Sequence, residues 1–278
     1  MTILVTGVRG RVGAAVLRQL QDAGAEVRPA SARPDAAAEL PGEPPVHLDL
    51  AAPGTFAPAL KGIRKVFLYA RPDTADRFVQ EAEDAGVTDV VLFSSLAIDA
   101  DGAEHSPIAR QHRAVEDALR SSGLGWTFVR AGALATNALQ WAPSIRAGQS
   151  LRLAYPDTYS EPVHEADVAA VSTRALLDED RRGEVLRLTG PESLSARRQA
   201  ELIATAAGVP VVVERVDRAE QRAQLTAVLP EAIADVLLDY QRERDGRPQA
   251  PLPDVERVLG HGAVSFAAWA REHAAAFR

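Results

Sequence analysis

An α/β fold built on a doubly wound parallel sheet is predicted by three features of the sequence. Short apolar runs alternate with helical patterns through the first half of the chain, as successive βαβ units require. A glycine-rich segment, Thr6-Gly7-Val8-Arg9-Gly10-Arg11-Val12-Gly13, follows the first apolar run and opens the first helical pattern. The 278 residues, 46% of them hydrophobic and 25% charged, are enough for one large core or two smaller ones.

Residues 3–5 read as the first strand. Val12, Val16, Leu17 and Leu20 then recur at helical spacing up to Gly24, a C-cap candidate. Strands are expected at 26–28, 46–48, 66–69, 90–93 and 127–129, with helices near 54–61, 74–85 and 107–122 between them. Thr74 and Ser106 are N-cap candidates, and Pro107 sits at a first helical position, where its missing N–H costs nothing. Beyond about residue 130 the alternation loosens, although 185–188 adds a strand to the same sheet. Helices are expected at 133–147, 167–178, from about 191, at 217–228 and at 231–243, with a strand at 211–213. A connection containing Pro248, Pro251 and Pro253 leads to a last helix on which Phe266, Trp269, His273 and Phe277 share a face. There is no internal repeat.

Composition removes several function classes. The formal net charge is −7 with no Lys/Arg block, which argues against nucleic acid or anionic lipid as the main partner. No uncharged apolar run reaches 18 residues, so a membrane-spanning helix is not expected. Cysteine is absent, which removes disulfides, thiolate chemistry and sulfur-based zinc sites. The first residues lack the pattern of a signal peptide, and a cytoplasmic protein is expected. His105, His164, His261 and His273 show no metal-ligand spacing, so no metal is expected, and no GxSxG elbow marks a hydrolase.

The glycine segment has a TGxxGxxG pattern between a strand and a helix. Glycines let backbone approach a pyrophosphate, and the helix N-terminus offers free N–H groups with partial positive charge. Gly7, Arg9, Gly10, Arg11, Val12 and Gly13 are therefore candidate dinucleotide ligands on a Rossmann-like fold. An acid at the end of the second strand would bind the ribose 2′-hydroxyl, but the chain runs Val27-Arg28-Pro29-Ala30-Ser31-Ala32-Arg33 there. Arg33 and Arg9 are placed to meet a 2′-phosphate instead, and NADP(H) is the expected cofactor; the alternative is that both are ordinary surface arginines.

At this point the sequence resembles the NmrA-like atypical short-chain dehydrogenases/reductases. The resemblance rests on the glycine turn, Asp49-Leu50, Phe93-Ser94-Ser95 and the stretch from Glu116-Asp117-Ala118-Leu119 through Gly123–Arg130. It continues through Pro162–Ala169, Leu188–Glu192 and the tail from Phe266 to Phe277, so it covers nearly the whole chain. It implies that Asp49 lies near the adenine amino group and Leu50 beside its ring. It also implies that Ala70, Arg71 and Pro72 line the cofactor, that Ser94 and Ser95 face the nicotinamide half, and that Gly132 and Ala133 border the mouth of the site. Simple strand-end capping is the alternative for the two serines.

The superfamily's Tyr-x-x-x-Lys pair, in which lysine lowers the tyrosine pKa for proton donation, is missing. Ile108 and His112 stand at its positions, and Lys61 and Lys65, the chain's only lysines, both precede the strand at 66–69. Ser94, Ser95 and His112 are the catalytic candidates, with His112 either a proton donor or a packed, ribose-binding residue. Asn137, Trp141, Tyr155, Tyr159 and His164 combine aromatic surface with polar handles suited to a flat substrate, or are ordinary packing.

The expected organisation is a dinucleotide-binding domain over 1–132, with 166–190 returning to it, and a smaller, mostly helical substrate-side domain over 133–278. The expected activity is NADP(H)-dependent reduction of a conjugated, aromatic or quinone-like small molecule, and a homodimer is compatible with it. An NADP(H)-sensing regulator without turnover, or a non-redox or coupling enzyme of a biosynthetic pathway, are the alternatives.

Overall fold

The computed structural model describes residues 1–37 and 43–278. The elements in chain order are β1 Thr2–Val5, α1 Arg11–Asp22, β2 Glu26–Ser31, β3 Val46–His47, α2 Phe56–Leu60, β4 Ile63–Tyr69, α3 Ala75–Asp84, β5 Asp89–Ser95, α4 Pro107–Arg120 and β6 Gly125–Ala131. They continue with α5 Ala142–Arg146, β7 Leu151–Leu153, β8 Tyr159–Ser160, α6 Glu165–Leu177, β9 Val185–Leu188, β10 Leu194–Ser195, α7 Ala196–Ala207 and β11 Val213–Arg215. The last helices are α8 Arg218–Thr226, α9 Glu231–Glu243, α10 Asp254–Leu259 and α11 Phe266–Glu272.

These elements form two compact units. The first comprises Met1–Ala131, Glu165–Leu188 and Arg257–Gly260; the second comprises Gly132–His164, Thr189–Glu256 and His261–Arg278. In the first, seven parallel strands lie in the order β3-β2-β1-β4-β5-β6-β9. Both faces of such a sheet need helices, which is why its strands read as continuous apolar runs. On one face Leu4, Val66, Leu68, Val90, Leu92 and Phe128 pack against Phe56 and Leu60 of α2, Phe78 and Val79 of α3, and Val115 and Leu119 of α4. On the other lie α1 and α6, which pack on each other; Val12, Val16, Leu17 and Leu20 of α1 are buried, as their helical spacing predicts.

The strand order reverses between β1 and β4, the topological switch point, and sheets of this kind bind their ligands beyond the carboxyl ends of the strands at that point. The glycine turn leaves β1 there, and Tyr69-Ala70-Arg71 leave β4.

In the second unit β7 pairs with β11 and β8 with β10. Its core gathers Ile145, Leu151, Leu194, Ile203, Phe266, Trp269 and Phe277. The stacked or edge-on contacts of Trp269 with Phe266, His273 and Phe277 follow the expected common face, although the last turn, Ala274–Phe277, is 3₁₀.

Three local expectations need correction. Residues 133–147 are not one helix: a 3₁₀ segment, Ala135–Trp141, gives way to α5, because Pro143 cannot donate to the carbonyl four residues earlier and is tolerated only in a first turn. The strand at 211–213 lies two residues later, where its partner β7 sets the register. Thr74 precedes α3 without capping it, since its hydroxyl donates to the Leu50 carbonyl. Ser106 does cap α4, accepting the Ala109 N–H at 3.3 Å.

Candidate cofactor site and the buried charge network beside it

The turn after β1 is shaped by contacts that exclude side chains. Gly7 has φ +66°, and a Cβ there would lie 2.6 Å from Cδ2 of Tyr69. A Cβ on Gly13 would lie 2.6 Å from the carbonyl carbon of Gly7, and one on Gly10 would stand 3.2 Å from the Gly7 oxygen. The last two glycines hold α1 tight against the turn. Helix α1 has neither a side-chain cap nor an acid in its first turn. Its Gly13 N–H donates to the Tyr69 hydroxyl at 3.1 Å, and Ala14 N–H to the Gly10 carbonyl at 2.9 Å. Among the described residues the Arg11 and Val12 N–H groups meet no acceptor. An uncapped helix end with free donors, reached over glycine, fits the pyrophosphate of a dinucleotide.

Around this cradle the other expected nucleotide ligands take their places. Arg9, Arg11 and Arg33 are exposed, with no carboxylate partner among the described residues, and the Arg33 N–H donates to the Ser31 hydroxyl at 3.1 Å. One Asp49 oxygen accepts the Ala51 N–H at 2.9 Å, and the Asp49 N–H donates to Thr55 at 3.0 Å. Leu50 and Ala70 are half-buried against the sheet core, and Arg71 lies 3.4 Å from Asp73 in an exposed pair.

At the ends of β5 and β6 the structure shows something that the sequence reading did not assign. Glu116 of α4 is wholly buried. Ser94 Oγ donates to its Oε1 at 2.7 Å, Arg130 Nε to Oε1 at 2.9 Å and Nη2 to Oε2 at 2.5 Å, and Arg120 Nη2 to Oε2 at 2.9 Å. Arg130 continues to Asp99, which also receives Arg187 Nε at 2.8 Å. Burial opposes ionisation of Glu116, but the hydrogen bonds of Arg130 and Ser94 and the two arginine charges outweigh it and hold the carboxyl below its usual range. The visible signal was a Glu on the buried stripe of α4 and an Arg inside an apolar strand. Neither position names its partner without the packing of α4 on β6.

Ser94 is therefore engaged: its hydroxyl proton goes to Glu116, and the residue is 2% exposed. Ser95 is half-buried, its Oγ accepting the Ala97 N–H at 3.2 Å as the N-cap of the 3₁₀ turn Leu96–Asp99. His112 is half-buried, its Nδ1 without a hydrogen-bond partner. Burial pushes its pKa down, only partly opposed by the Glu116 charge, and the ring is neutral at neutral pH. Lys65 is buried and donates to the Leu176 carbonyl at 2.9 Å, capping the end of α6.

The five expected substrate residues all lie in the second unit, each with its own surroundings. Asn137 is exposed on the 3₁₀ segment, and Trp141 packs on the unit's core. Tyr155 is half-buried near Arg218, and Tyr159 pairs with Ser195 across β8 and β10. His164 is buried, its Nε2 3.2 Å from Glu272. No cluster of three or more His, Asp or Glu able to hold a metal occurs among the described residues, and none of their helices is long and apolar enough to cross a membrane.

A glycine cradle at the switch point of a parallel sheet, with free helix-end donors and arginines around it, defines a dinucleotide-binding α/β protein. The family model described as NAD(P)H-binding matches residues 7–179, and the chain belongs to that family. It is 35% identical over 280 residues to the (4-alkanoyl-5-oxo-2,5-dihydrofuran-3-yl)methyl phosphate reductase of Streptomyces griseus, with 99% of each chain covered. It is 30% identical over 288 residues to the NAD(P)H azoreductase of Xenophilus azovorans, again with 99% of each covered. The fold is shared with the NADPH-dependent quinone oxidoreductase of Escherichia coli solved with NADPH, at a TM-score of 0.82 and 22% identity over 98% of this chain and 99% of that one.

Proposed function

We propose that this chain is an NADPH-dependent reductase that delivers hydride to an electron-poor conjugated acceptor, a quinone or an α,β-unsaturated carbonyl compound. The observation that carries the proposal is the pairing of an NAD(P)H cradle with a helix α4 that offers Ile108 and a neutral His112 where a phenol–ammonium pair would stand. The relatives act on a dihydrofuranone and on azo compounds, and the structural neighbour on quinones. Conjugated acceptors of this kind delocalise incoming negative charge.

The first-turn N–H groups of Arg11 and Val12 hold the pyrophosphate, Asp49 accepts from the adenine amino group, and Arg33 with Arg9 selects the 2′-phosphate. When bound, the nicotinamide supplies the hydride. Ser95 donates its free proton to the acceptor oxygen on which charge collects, and Glu116 fixes the end of β5 through Ser94. Neutral His112 holds a ribose hydroxyl. An isolated ketone would generate a strongly basic alkoxide and needs a stronger proton donor than these groups provide.

NADPH oxidation measured across a quinone, a cyclic enone and a saturated ketone tests the proposal. Turnover is expected on the first two and little on the third. His112→Ala should weaken NADPH binding rather than cut turnover by the roughly 10²–10⁴-fold that loss of a general acid produces. Tight NADPH binding with no turnover on any acceptor would favour a cofactor sensor.

A further inference from the structure

The glycine turn of this chain contains a side chain that the general pattern does not require. Tyr69, the last residue of β4, lies against the inner side of the turn, close enough to Gly7 that a Cβ there would collide with its ring. Edge-on contacts with Phe67 and Phe93, at 5.8 and 5.2 Å between centroids, hold the ring in place. Its backbone N–H donates to Thr6 Oγ1 at 3.0 Å, tying β4 to the start of the turn. The hydroxyl accepts the Gly13 N–H at 3.1 Å and would stand 3.3 Å from a Cβ on Gly10. It therefore occupies the first turn of α1, beside the unpaired N–H groups of Arg11 and Val12.

A phenol that accepts one hydrogen bond still has a proton to give. Among the described residues the Tyr69 proton has no acceptor. Burial raises the phenol's pKa, so the proton stays in place at any physiological pH.

We infer that Tyr69 is a cofactor ligand, its hydroxyl donating to a pyrophosphate oxygen of the dinucleotide as a third donor beside the Arg11 and Val12 N–H groups. The Gly13 N–H polarises the hydroxyl from behind, so the helix end acts through the phenol as well as through its own backbone. The inference rests on nucleotide binding alone and is independent of the acceptor.

Tyr69→Phe keeps the ring contacts and removes the hydroxyl. Titrations follow NADPH, NADH and adenosine 2′-monophosphate, which lacks the pyrophosphate, with thermal unfolding recorded alongside. A hydrogen bond to a charged oxygen predicts that NADPH and NADH both weaken by about tenfold or more. Adenosine 2′-monophosphate should stay within about twofold by the same reasoning. NADPH affinity unchanged within that margin would overturn the inference. Equal losses for all three ligands, or loss of cooperative unfolding, would overturn it too, by showing that the hydroxyl only holds the turn together.

Discussion

Replacing Glu116 by alanine should destabilise the first unit by about 3–5 kcal/mol, the usual cost of removing one member of a buried, hydrogen-bonded ion pair. Glu116 is fully buried, and its loss would leave Arg130, 6% exposed, with Asp99 alone, and the Ser94 hydroxyl without its acceptor. Arg120 would lose one of its two carboxylate contacts, although its guanidinium would still lie over the Trp126 and Phe128 rings. Chemical denaturation of the variant and the unmodified chain measures the difference.

The same carboxylate also predicts a pH signature. Its folded pKa lies below the ordinary value of 4.5, so its contribution is present above that pH and is lost as pH falls through the folded value. Glu116→Gln should accordingly flatten the acid limb of the stability curve. An unchanged limb would mean that the network does not hold the carboxylate charged.

Gly10→Asp should abolish dinucleotide binding while leaving the fold standing. Gly10 is the N-cap of α1 with φ −84°, a conformation open to any residue, aspartate is a favourable N-cap, and the added Cβ needs the Gly7 oxygen and the Tyr69 hydroxyl, at 3.2 and 3.3 Å, to yield by only a few tenths of an ångström. Its side chain would nevertheless place a negative charge where the pyrophosphate approaches and compete for the Arg11 and Val12 N–H groups. Losing those charge-assisted hydrogen bonds, at about 1.5–3 kcal/mol each, lowers affinity by at least about a hundredfold for NADPH and NADH alike. Arg33→Asp should differ in kind, weakening NADPH by about tenfold or more through one charged contact while sparing NADH. Fluorescence titration of the two cofactors separates these outcomes, and a folded Gly10→Asp variant that binds NADPH normally would remove the phosphate site from this turn.

The first unit was largely legible in the sequence because its signals are local. Strand, glycine turn and helix follow one another within Thr2–Asp22, and the apolar runs of β4, β5 and β6 are long enough to declare themselves. The second unit was less so. β8 and β10 have two residues each and α10 six, too few for any periodicity to show, and Pro143 was a visible break inside the segment taken as one helix. At the candidate site the glycines were legible from their spacing. The roles of Glu116 and Tyr69 were not, since each depends on a neighbour brought close only by the sheet: Arg130 lies across from α4 on β6, and Gly13 across from β4 at the switch point.

The most direct test of the proposed chemistry follows the hydride itself. The chain is incubated with NADPH carrying deuterium at the transferable position and with a cyclic enone, and the product is examined by mass spectrometry and NMR. Conjugate delivery predicts a saturated ketone holding one deuterium on the carbon β to the carbonyl. Deuterium on the carbonyl carbon of an allylic alcohol, or an enone recovered unlabelled while NADPH binds tightly, would contradict it.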